Sequence, residues 1–583
     1  MNPSAGTALP AQEESTAPQQ SAAQSDEATP LPIVSMIDQL LQEQQDLTAV
    51  EDFARCHSDG DLPAQAKYYQ KLMPATPPKE GEQYGFEVNL DDCSGCKACV
   101  VACHSLNGLD EEETWRDVGL LIGGTSTLPI MQHVTTACHH CLDPACMVAC
   151  PVNAYEKDPA TGIVRHLDDQ CFGCQYCTLA CPYDVPKYHP QKGIVRKCDM
   201  CVDRLSAGEA PACVQACPHE AIAIRNVSIA QVRENAEVAT FLPASPDSFI
   251  TYPTTTYKTE RVFPRNTLPA DYYSVNPQKP HWPLIIMLVL TQLSVGAFTV
   301  GQLMPFAVGE NLMDAFRPIQ VILALLPGLL ALGASTLHLG RPQYAFRAIL
   351  GLRHSWLSRE IVAFGLFAAA AAGFAMSAWT VAVPPVVRQV LGWTVVASGA
   401  LGLFCSAMIY VFTQREFWNL SRTLTRFLLT AAILGPATSL LTLLLTSRFA
   451  GSEQSTELLR SVGTPLVTVV LVTSAMKLVW EAGIFLHLLQ PRNSPLKRSA
   501  RLLTGPLSSP ALARFSLGLL GGIVMPAFLL LQAMGQGGDV EFTLQYMIIV
   551  AMLLAACLAG ELMERFLFFA AVSAPKMPGG PRV

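Results

Sequence analysis

The sequence predicts a small, cysteine-rich α+β domain followed by an all-α, polytopic membrane domain, and three observations lead to that prediction. The chain has 583 residues, and 17 of its 19 cysteines come before residue 218. The first 280 residues hold 19 Lys and Arg against 36 Asp and Glu, whereas the rest holds 20 against 11. The rest also contains eight apolar stretches of membrane-spanning length. So uneven a chain is neither one globular domain nor a disordered or fibrous protein.

Sixteen of the cysteines fall into four groups of four. The first and third groups have the spacing C-x2-C-x2-C-x3-C, which is the bacterial ferredoxin pattern, and in that pattern the last cysteine binds the neighbouring cluster. Three thiolates on a tight loop suit three corners of a cubane, so sixteen ligands predict four [4Fe–4S] clusters. The groups are Cys93, Cys96, Cys99 and Cys103; Cys138, Cys141, Cys146 and Cys150; Cys171, Cys174, Cys177 and Cys181; and Cys198, Cys201, Cys213 and Cys217.

Zinc is the alternative for these cysteines, because four thiolates also form structural zinc sites. A zinc site needs four ligands around one metal, which separated pairs provide better than three thiols within seven residues. The spacing therefore favours an α+β ferredoxin-like domain with four clusters, and Cys56 is expected to be an incidental thiol. No basic residue precedes Arg55, so we expect no secretory leader and reduced thiols in the cytoplasm.

The order of these features predicts five segments. Residues 1–31 are expected to be a disordered tail, and residues 32–83 a helical extension with a linker that serves packing or docking. Residues 84–242 form the predicted iron–sulfur domain, residues 243–280 connect it to the membrane, and residues 281–583 form the predicted eight-helix anchor.

The eight apolar segments are predicted to cross the membrane. Their approximate bounds are Trp282–Met304, Pro318–Leu337, Ile361–Val383, Leu391–Phe412, Phe427–Thr446, Pro465–Leu489, Phe515–Met534 and Tyr546–Val572. The loops and tail on one side hold 14 Lys and Arg, whereas the loops on the other side hold four. The positive-inside rule then predicts that both termini and the iron–sulfur domain lie on the cytoplasmic side of a bacterial inner membrane. We also expect attraction between the acidic domain and these basic loops, which raised salt would weaken.

Ionisable residues at the ends of apolar spans are candidates for function, because placing them in a membrane costs free energy. His338 follows the second predicted span and Glu360 precedes the third, both on the predicted cytoplasmic side. Oxidation of a quinol releases two protons and two electrons, and a histidine or a partly buried glutamate can accept a proton. We therefore predict a quinol site at His338 and Glu360, with Arg341 and Arg359 as supporting residues.

Other ionisable residues in the spans are expected to neutralise each other on one helix face. The two pairs, each four residues apart, are Lys477 with Glu481 and Glu561 with Arg565. A haem would need two facing histidines, and a His338–His487 pair stays an open alternative, although we expect no haem. The sequence has no Gly-rich dinucleotide fingerprint and no P-loop, so the soluble part is predicted to conduct electrons without a terminal substrate site.

The cysteine array resembles the four-cluster iron–sulfur subunit of the dimethyl sulfoxide reductase family of molybdenum oxidoreductases. This resemblance covers residues 84–227, and residues 281–572 are similar, through shorter motifs around His338 and Glu360, to the membrane anchor subunit of the same family. In that family each cluster takes its fourth ligand from a partner group. The implied ligand sets are Cys93, Cys96, Cys99 and Cys217; Cys198, Cys201, Cys213 and Cys103; Cys138, Cys141, Cys146 and Cys181; and Cys171, Cys174, Cys177 and Cys150.

The resemblance implies a natural fusion of the electron-transfer and anchor subunits. Such a fusion would oxidise menaquinol or ubiquinol and pass electrons to a separate molybdopterin catalytic subunit of a respiratory or assimilatory reductase. Two alternatives stay open, namely reverse flow from substrate oxidation to quinone and a redox-driven ion- or proton-translocating module. The largely apolar interior of the spans disfavours translocation. The expected partners are the catalytic subunit, the quinol pool and the lipid bilayer, with no nucleic acid.

Overall fold

The chain divides into two compact units, residues 1–66 and residues 67–583. The computed structural model describes residues 66–238, 241–309, 312–380, 383–450, 453–535 and 544–579, together with Met36, Leu41, Glu51 and Arg55. The predicted tail, Cys56 and most of the predicted helical extension lie outside the described residues. We call residues 67–280 the head and residues 281–579 the membrane domain.

The head consists of short strands and short helices. Its strands are β1 Glu82–Asn89, β2 Asp117–Gly124, β3 Pro129–Thr136, β4 Tyr155–Lys157, β5 Val164–His166, β6 Lys187–His189, β7 Ile194–Arg196, β8 Ile222–Ser228, β9 Thr256–Lys258 and β10 Leu268–Pro269. The helices are α1 Ala66–Tyr69, α2 Ala98–Leu106, α3 Ala145–Ala149, α4 Tyr176–Ala180, α5 Val202–Ser206, α6 Ala212–Gln215 and α7 Ile229–Val238.

The strands form two three-stranded sheets and two hairpins. Strand β1 lies between β8, which is antiparallel to it, and β9, which is parallel. Strand β2 lies between β10 and β3, and both neighbours are antiparallel to it. The hairpins β4–β5 and β6–β7 follow the second and third cysteine groups. The predicted α+β, ferredoxin-like class of the head is confirmed.

Eight helical segments of the membrane domain are long and apolar enough to cross a membrane. Their helices are α8 Trp282–Leu303, α9 Pro305–Val308, α10 Arg317–Thr336, α11 Trp356–Trp379, α12 Pro385–Val411, α13 Leu420–Ala450, α14 Glu453–Ala482, α15 Pro495–Thr504, α16 Ser508–Leu519, α17 Met525–Gly535 and α18 Leu544–Ala570. Helices α8 and α9 form the first span and α16 and α17 form the seventh, whereas the short amphipathic α15 crosses nothing. The predicted all-helical domain with eight spans is confirmed.

Several helices begin before the predicted start of their span, and two of these differences affect the placement of charged residues. The third span was predicted to begin at Ile361, but α11 begins at Trp356, so Glu360 lies inside the helix. The Arg359 guanidinium packs on the Trp356 ring in this first turn, 4.4 Å from its centroid. The fifth span was predicted to begin at Phe427, whereas α13 begins at Leu420, so Arg422 and Arg426 lie inside the helix.

The connection between α10 and α11 seats the head on the membrane domain through main-chain contacts. Gly340 lies so close to two glycines of the head that a Cβ atom on it would lie 2.0 Å from the carbonyl oxygen of Gly193. The N–H of Gly340 donates to the carbonyl of Gly173 (3.4 Å), and the N–H of Arg341 donates to that of Phe172 (3.0 Å). Glycine is needed at this position because the two backbones touch.

The same connection holds the second cysteine group. The N–H of Gly351 donates to the carbonyl of Pro151 (2.8 Å), and a ring nitrogen of His354 lies 3.0 Å from the carbonyl of Cys150. The hydroxyl of Ser355 donates to the carbonyl of Ala149 at 2.6 Å. The head therefore meets the membrane domain at the residues that flank its second and third cysteine groups.

Three arginines of the membrane domain reach the head, but they bind carbonyl oxygens rather than carboxylates. The pairs are Arg341 with the carbonyls of Lys192 (3.2 Å) and Asp168 (3.0 Å), Arg347 with that of Asp169 (3.0 Å), and Arg415 with that of Leu179 (3.2 Å). Of the basic residues expected to attract the acidic head, these three arginines bind its main chain, whereas Lys576 of the C-terminal segment pairs with the Asp271 carboxylate. The hydrogen bonds of the arginines depend on geometry more than on ionic strength.

The C-terminal segment returns from α18 to the head. Met577 is buried beside Leu121 and Val134. The Lys576 ammonium lies 2.5 Å from a carboxylate oxygen of Asp271. Three residues further along the same segment, the carbonyl of Gly579 accepts a main-chain hydrogen bond from the head. The tail and the head therefore lie at the same end of the helix bundle.

Replacing Gly340 with alanine should weaken the seating of the head. The added Cβ would meet main-chain atoms of Gly193, which cannot rotate away, and overpacking of this kind costs about 1–3 kcal/mol. We expect a lower thermal unfolding temperature for the purified full-length protein carrying Gly340→Ala.

The matched control is Gly333→Ala in α10, where a Cβ would meet no atom within 4 Å. This variant should be as stable as the parent or slightly more so. Equal destabilisation by both substitutions would show that the contact of Gly340 with Gly193 does not seat the head.

Candidate electron-transfer site

The head contains two cavities that are each surrounded by four cysteines. One cavity is lined by Cys138, Cys141, Cys146 and Cys181. A second cavity is lined by Cys93, Cys96, Cys99 and Cys217. In both cavities three cysteines come from one sequence group and the fourth from another, which supports the reciprocal ligand exchange expected from the resemblance.

The other eight cysteines form two further sets by mutual proximity. Burial raises the pKa of the Cys103 thiol to about 12, and the nearby Cys213 and Cys201 raise it as well. Cys198 interacts in the same way with Cys103 and Cys201. The last set joins Cys150 with Cys171, Cys174 and Cys177. Buried thiols with raised pKa values become thiolates when a metal binds them.

The backbone around the cysteines favours negatively charged sulfur. Gly95 and Lys97 have φ values of 76° and 62°, and Gly173 and Gln175 repeat them with 73° and 60°. This left-handed conformation turns successive N–H groups toward the inside of the loop. Within the described residues, four sulfurs accept hydrogen bonds from main-chain N–H groups: Cys150 from Ala154 (3.2 Å), Cys171 from Gly173 (3.4 Å), Cys198 from Met200 (3.4 Å) and Cys217 from Ala221 (3.3 Å).

All sixteen cysteines are free thiols, so none is used in a disulfide. Sets of four sulfurs around one cavity, in loops that direct N–H groups toward sulfur, fit a [4Fe–4S] cluster better than a disulfide scaffold. When bound, such clusters accept and release single electrons. The count of four clusters and the individual ligand sets remain proposals, which these cavities support.

Two buried cations lie between the cysteine sets, and the sequence analysis did not single them out. The Arg116 side chain is 2% exposed and Lys197 is 3% exposed. Burial alone would lower the pKa of Lys197, but the thiols of Cys138, Cys146 and Cys198 raise it above its usual value. Arg116 is likewise surrounded by cysteines, which belong to the first and fourth groups. The sequence signal that could have identified one of these cations is that Lys197 directly precedes Cys198.

The set of Cys150, Cys171, Cys174 and Cys177 lies against the membrane domain. Helix α4 carries the last of these cysteines, and its Tyr176 hydroxyl donates to the carbonyl of Ile409 in α12 at 3.1 Å. Tyr176 is 3% exposed. The head thus inserts one helix end between membrane helices at this point.

Glu360 is buried at the same place. It lies within electrostatic range of Tyr176, Tyr410 and Cys405. Burial raises the pKa of Tyr176, and the charge of Glu360 raises it as well. The hydroxyl of Ser406 is buried and lies beside the Glu360 carboxylate, with which it interacts.

His338 lies at the same end of the bundle, just after α10, but has other neighbours. Its ring is near His281 and the backbone of Ser335, and burial lowers its pKa to about 4. Its Nδ1 atom is buried and has no hydrogen-bond partner within the described residues. The two predicted quinol residues therefore have different neighbours, because Glu360 lies beside Tyr176, Tyr410 and Ser406.

The remaining predicted site residues have structural contacts. Arg341 binds carbonyls of the head, as described above. The Arg359 guanidinium donates to the carbonyls of Leu352 (3.2 Å) and Arg353 (2.7 Å). His487 lies 3.2 Å from the guanidinium of Arg422, whereas His338 lies near His281, so the two histidines of the alternative haem pair have different neighbours.

The charged residues of the spans form one network that links several helices. Of the two predicted pairs, Lys477 and Glu481 do lie 3.8 Å apart on α14, and Lys477 also bonds to Glu561 of α18. Glu481 accepts two bonds from Arg514 of α16, at 2.9 and 3.1 Å. The predicted pairing of Glu561 with Arg565 is wrong, because Glu561 pairs with Lys477 and Arg514 of other helices, whereas Arg565 lies 3.3 Å from Glu564.

These features define an iron–sulfur electron-transfer protein with an integral membrane anchor. Residues 130–227 match the 4Fe-4S dicluster domain family, and residues 276–570, half of the chain, match the DMSO reductase anchor subunit (DmsC) family. The chain therefore belongs to the DMSO reductase anchor subunit family, with an iron–sulfur subunit fused to the anchor.

Curated relatives agree with this assignment. The chain is 35% identical over 150 residues to the B component of the anaerobic dimethyl sulfoxide reductase of Haemophilus influenzae, an alignment that covers 24% of this chain and 73% of the relative. It is 31% identical over 305 residues to "Hydrogenase-2 operon protein HybA" of Escherichia coli O157:H7, covering 47% of this chain and 89% of the relative. It is also 33% identical over 148 residues to the dimethyl sulfoxide reductase B component of Escherichia coli K12, covering 24% of this chain and 72% of that relative.

Two cysteines that line the same cavity should bind the same cluster, even when they belong to different sequence groups. Substituting either one should therefore affect that cluster. Because Cys146 and Cys181 line one cavity, Cys146→Ala and Cys181→Ala should abolish or convert the same EPR signal of the reduced protein. Cys150→Ala should instead change the signal that Cys174→Ala changes. The buried membrane residue Cys557 provides the control, since Cys557→Ala should leave every cluster signal unchanged. Different signals lost in Cys146→Ala and Cys181→Ala would contradict the ligand sets.

Removing the buried charge of Lys197 should lower a cluster potential. Lys197→Met keeps the approximate side-chain volume, but it removes a cation that favours the added electron. At short range inside a protein this effect is on the order of tens of millivolts. A redox titration monitored by EPR should show the decrease for the cluster bound by Cys138 and Cys146. Lys187→Met, at the half-exposed surface, should leave the potentials unchanged; a matching shift there would contradict the role of Lys197.

Proposed function

We propose that this chain oxidises a membrane quinol near Glu360 and His338 and delivers the electrons to a separate molybdopterin catalytic subunit. The observation that carries the proposal is the position of Tyr176. The helix that carries Tyr176 also carries a cysteine of the set that lies against the membrane domain. The Tyr176 side chain bonds to the carbonyl of Ile409 and lies within electrostatic range of Glu360. A buried carboxylate is thus next to the head where the head enters the membrane domain.

The residues around Glu360 suit the chemistry of quinol oxidation. A quinol hydroxyl needs a hydrogen-bond acceptor that takes its proton as the electrons leave, and a buried carboxylate provides one. The hydroxyl of Ser406, beside the Glu360 carboxylate, can bind a second oxygen of the ring. His338 is neutral at physiological pH because its pKa is about 4, so its imidazole offers an acceptor nitrogen.

Delivery of electrons to the partner is proposed at the first cysteine group. Cys96 is exposed, and its loop packs against β3 so closely that a Cβ on Gly95 would lie 2.3 Å from the ring of His133. Next to His133 on the outer face of the β2–β3 sheet are Met131, 61% exposed, and its cross-strand neighbour Ile122, 43% exposed. An apolar surface beside an exposed cysteine loop suits the docking of a catalytic subunit.

The buried charges of the spans favour electron transfer without ion translocation. Lys477 lies five residues before the end of α14, and Arg514 lies near the start of α16, so both are at the head end of the bundle. Each carboxylate of the network is engaged with a cation, as Glu481 is with Arg514. We propose that both the head and the site face the cytoplasm, that electrons flow from quinol to the partner, and that the quinol is menaquinol or ubiquinol.

Substitution of Glu360 or His338 tests the site. Glu360→Gln keeps the shape but removes the proton acceptor, and loss of a general base typically slows a reaction about 10²–10⁴-fold. We expect such a decrease in the rate of quinol-driven cluster reduction for Glu360→Gln and a smaller decrease for His338→Gln. The measurement is the absorbance change of the clusters after the liposome-reconstituted protein is mixed with menaquinol.

Glu457→Gln, an exposed carboxylate in the first turns of α14, is the control and should react at the parent rate. Dithionite should reduce the clusters of every variant, which separates loss of the quinol site from loss of clusters. The His338-dependent part of the rate should decrease only as the pH approaches about 4, where the imidazole becomes protonated. Quinol-driven reduction at the parent rate in both Glu360→Gln and His338→Gln would refute the proposed site.

A further inference from the structure

A cavity of the membrane domain lies among residues that the proposed electron route does not use. It opens sideways between α13 and α14, near their head ends. Arg422 and Arg426 lie at its polar end, and Met476, Val479 and Trp480 form an apolar wall. These three wall residues are 57%, 74% and 47% exposed, which means that the wall faces the hydrocarbon region of a bilayer.

Arg426 is buried in this cavity without a full set of partners. Its side chain is 7% exposed, and its Nε atom has no hydrogen-bond partner within the described residues. The nearest carboxylate oxygen, on Glu564, is 3.6 Å from Nε, which is an ion-pair distance but too long for a hydrogen bond. The guanidinium packs on Phe417, 4.7 Å from the ring centroid. A buried guanidinium in this state can still donate to a ligand.

The charges around Arg426 do not balance. The buried network holds four cations and three carboxylates within the described residues. These are Arg426, Lys477, Arg514 and Arg565, and Glu481, Glu561 and Glu564. Glu481 is occupied by Arg514, and Glu561 by Lys477 and Thr430. One positive charge is therefore in excess, and Arg426, with its long ion pair, lies where the network meets the cavity.

A second cation lies next to the excess charge. Arg422 is one helical turn before Arg426 on α13, is partly buried, and its guanidinium contacts His487 at 3.2 Å. Two guanidiniums one turn apart can bind one tetrahedral anion between them, because each presents several N–H donors. The polar end of the cavity therefore provides donors and positive charge, whereas its wall is apolar and open to the membrane.

We propose that this cavity binds an anionic phospholipid, with the phosphate on Arg422 and Arg426 and an acyl chain along Met476, Val479 and Trp480. An anion of this shape neutralises the excess charge, and its tail covers the exposed apolar wall. A quinol is a poorer occupant, because it is neutral and the carboxylate nearest to the cavity, Glu481, is already bound twice by Arg514. The lipid site is independent of the quinol site proposed above.

Fluorescence quenching of Trp480 tests the lipid site. The full-length protein is reconstituted in phosphatidylcholine vesicles that contain brominated phosphatidylglycerol or, at the same mole fraction, brominated phosphatidylcholine. The difference between the parent and Trp480→Phe isolates the emission of Trp480 from that of the other tryptophans. We expect stronger quenching of this component by the anionic lipid than by the zwitterionic lipid.

Arg422→Gln should weaken the relative affinity for the anionic lipid roughly tenfold, which corresponds to the loss of one charge-assisted hydrogen bond. Arg422 is the preferred variant because it is only partly buried, so its removal leaves the ion network intact. Arg501→Gln removes an exposed arginine at the same end of the domain that does not line the cavity, and it should bind as the parent does.

Three results would overturn the proposal. Equal quenching by the two brominated lipids would show that the cavity does not select an anion. Displacement of the anionic lipid by inorganic phosphate would show that the site binds free phosphate rather than a lipid. Absence of quenching by either lipid, together with dimers of the reconstituted protein, would show that a second copy covers the wall.

Discussion

The route of electrons through this protein depends on the main-chain contact between the α10–α11 connection and the loops that hold the second and third cysteine groups. Gly340 touches Gly193 and Gly173, and Gly351 bonds to Pro151. Backbone contact of this kind allows no side chain to intervene, so it fixes the distance between the cysteine loops and the buried end of α11. Glu360 and Tyr176 are placed together as a consequence.

Buried charge is the second constraint, and the two parts of the protein meet it differently. In the head, Arg116 and Lys197 lie among thiols that become thiolates when clusters form, so cations and ligands compensate each other. In the membrane domain, Lys477 and Arg514 are matched by glutamates from two other helices. The compensation there is incomplete, and the remaining charge is next to a cavity open to the bilayer.

The sequence predicted those features that depend on local spacing. Cysteine spacing indicated the α+β head, and apolar length indicated eight spans, because ligand geometry and bilayer thickness act on short stretches of sequence. Features that depend on contacts between distant segments were missed. Nothing in the sequence near Arg116 indicates that it lies among cysteines, and the partner of Arg565 proved to be Glu564 rather than Glu561. Three arginines of the basic loops bind carbonyl oxygens of the head rather than its acidic side chains, which no composition reveals.

The central claim is that quinol electrons enter at the cysteine set that lies against the membrane domain. Rapid-freeze EPR of the reconstituted protein after mixing with menaquinol tests it in two variants, Cys174→Ala at that set and Cys96→Ala at the exposed end of the head. The account predicts that Cys174→Ala prevents quinol from reducing the remaining clusters although dithionite still reduces them, whereas Cys96→Ala leaves their reduction by quinol intact. Reduction of the remaining clusters by menaquinol at the parent rate in Cys174→Ala would contradict it.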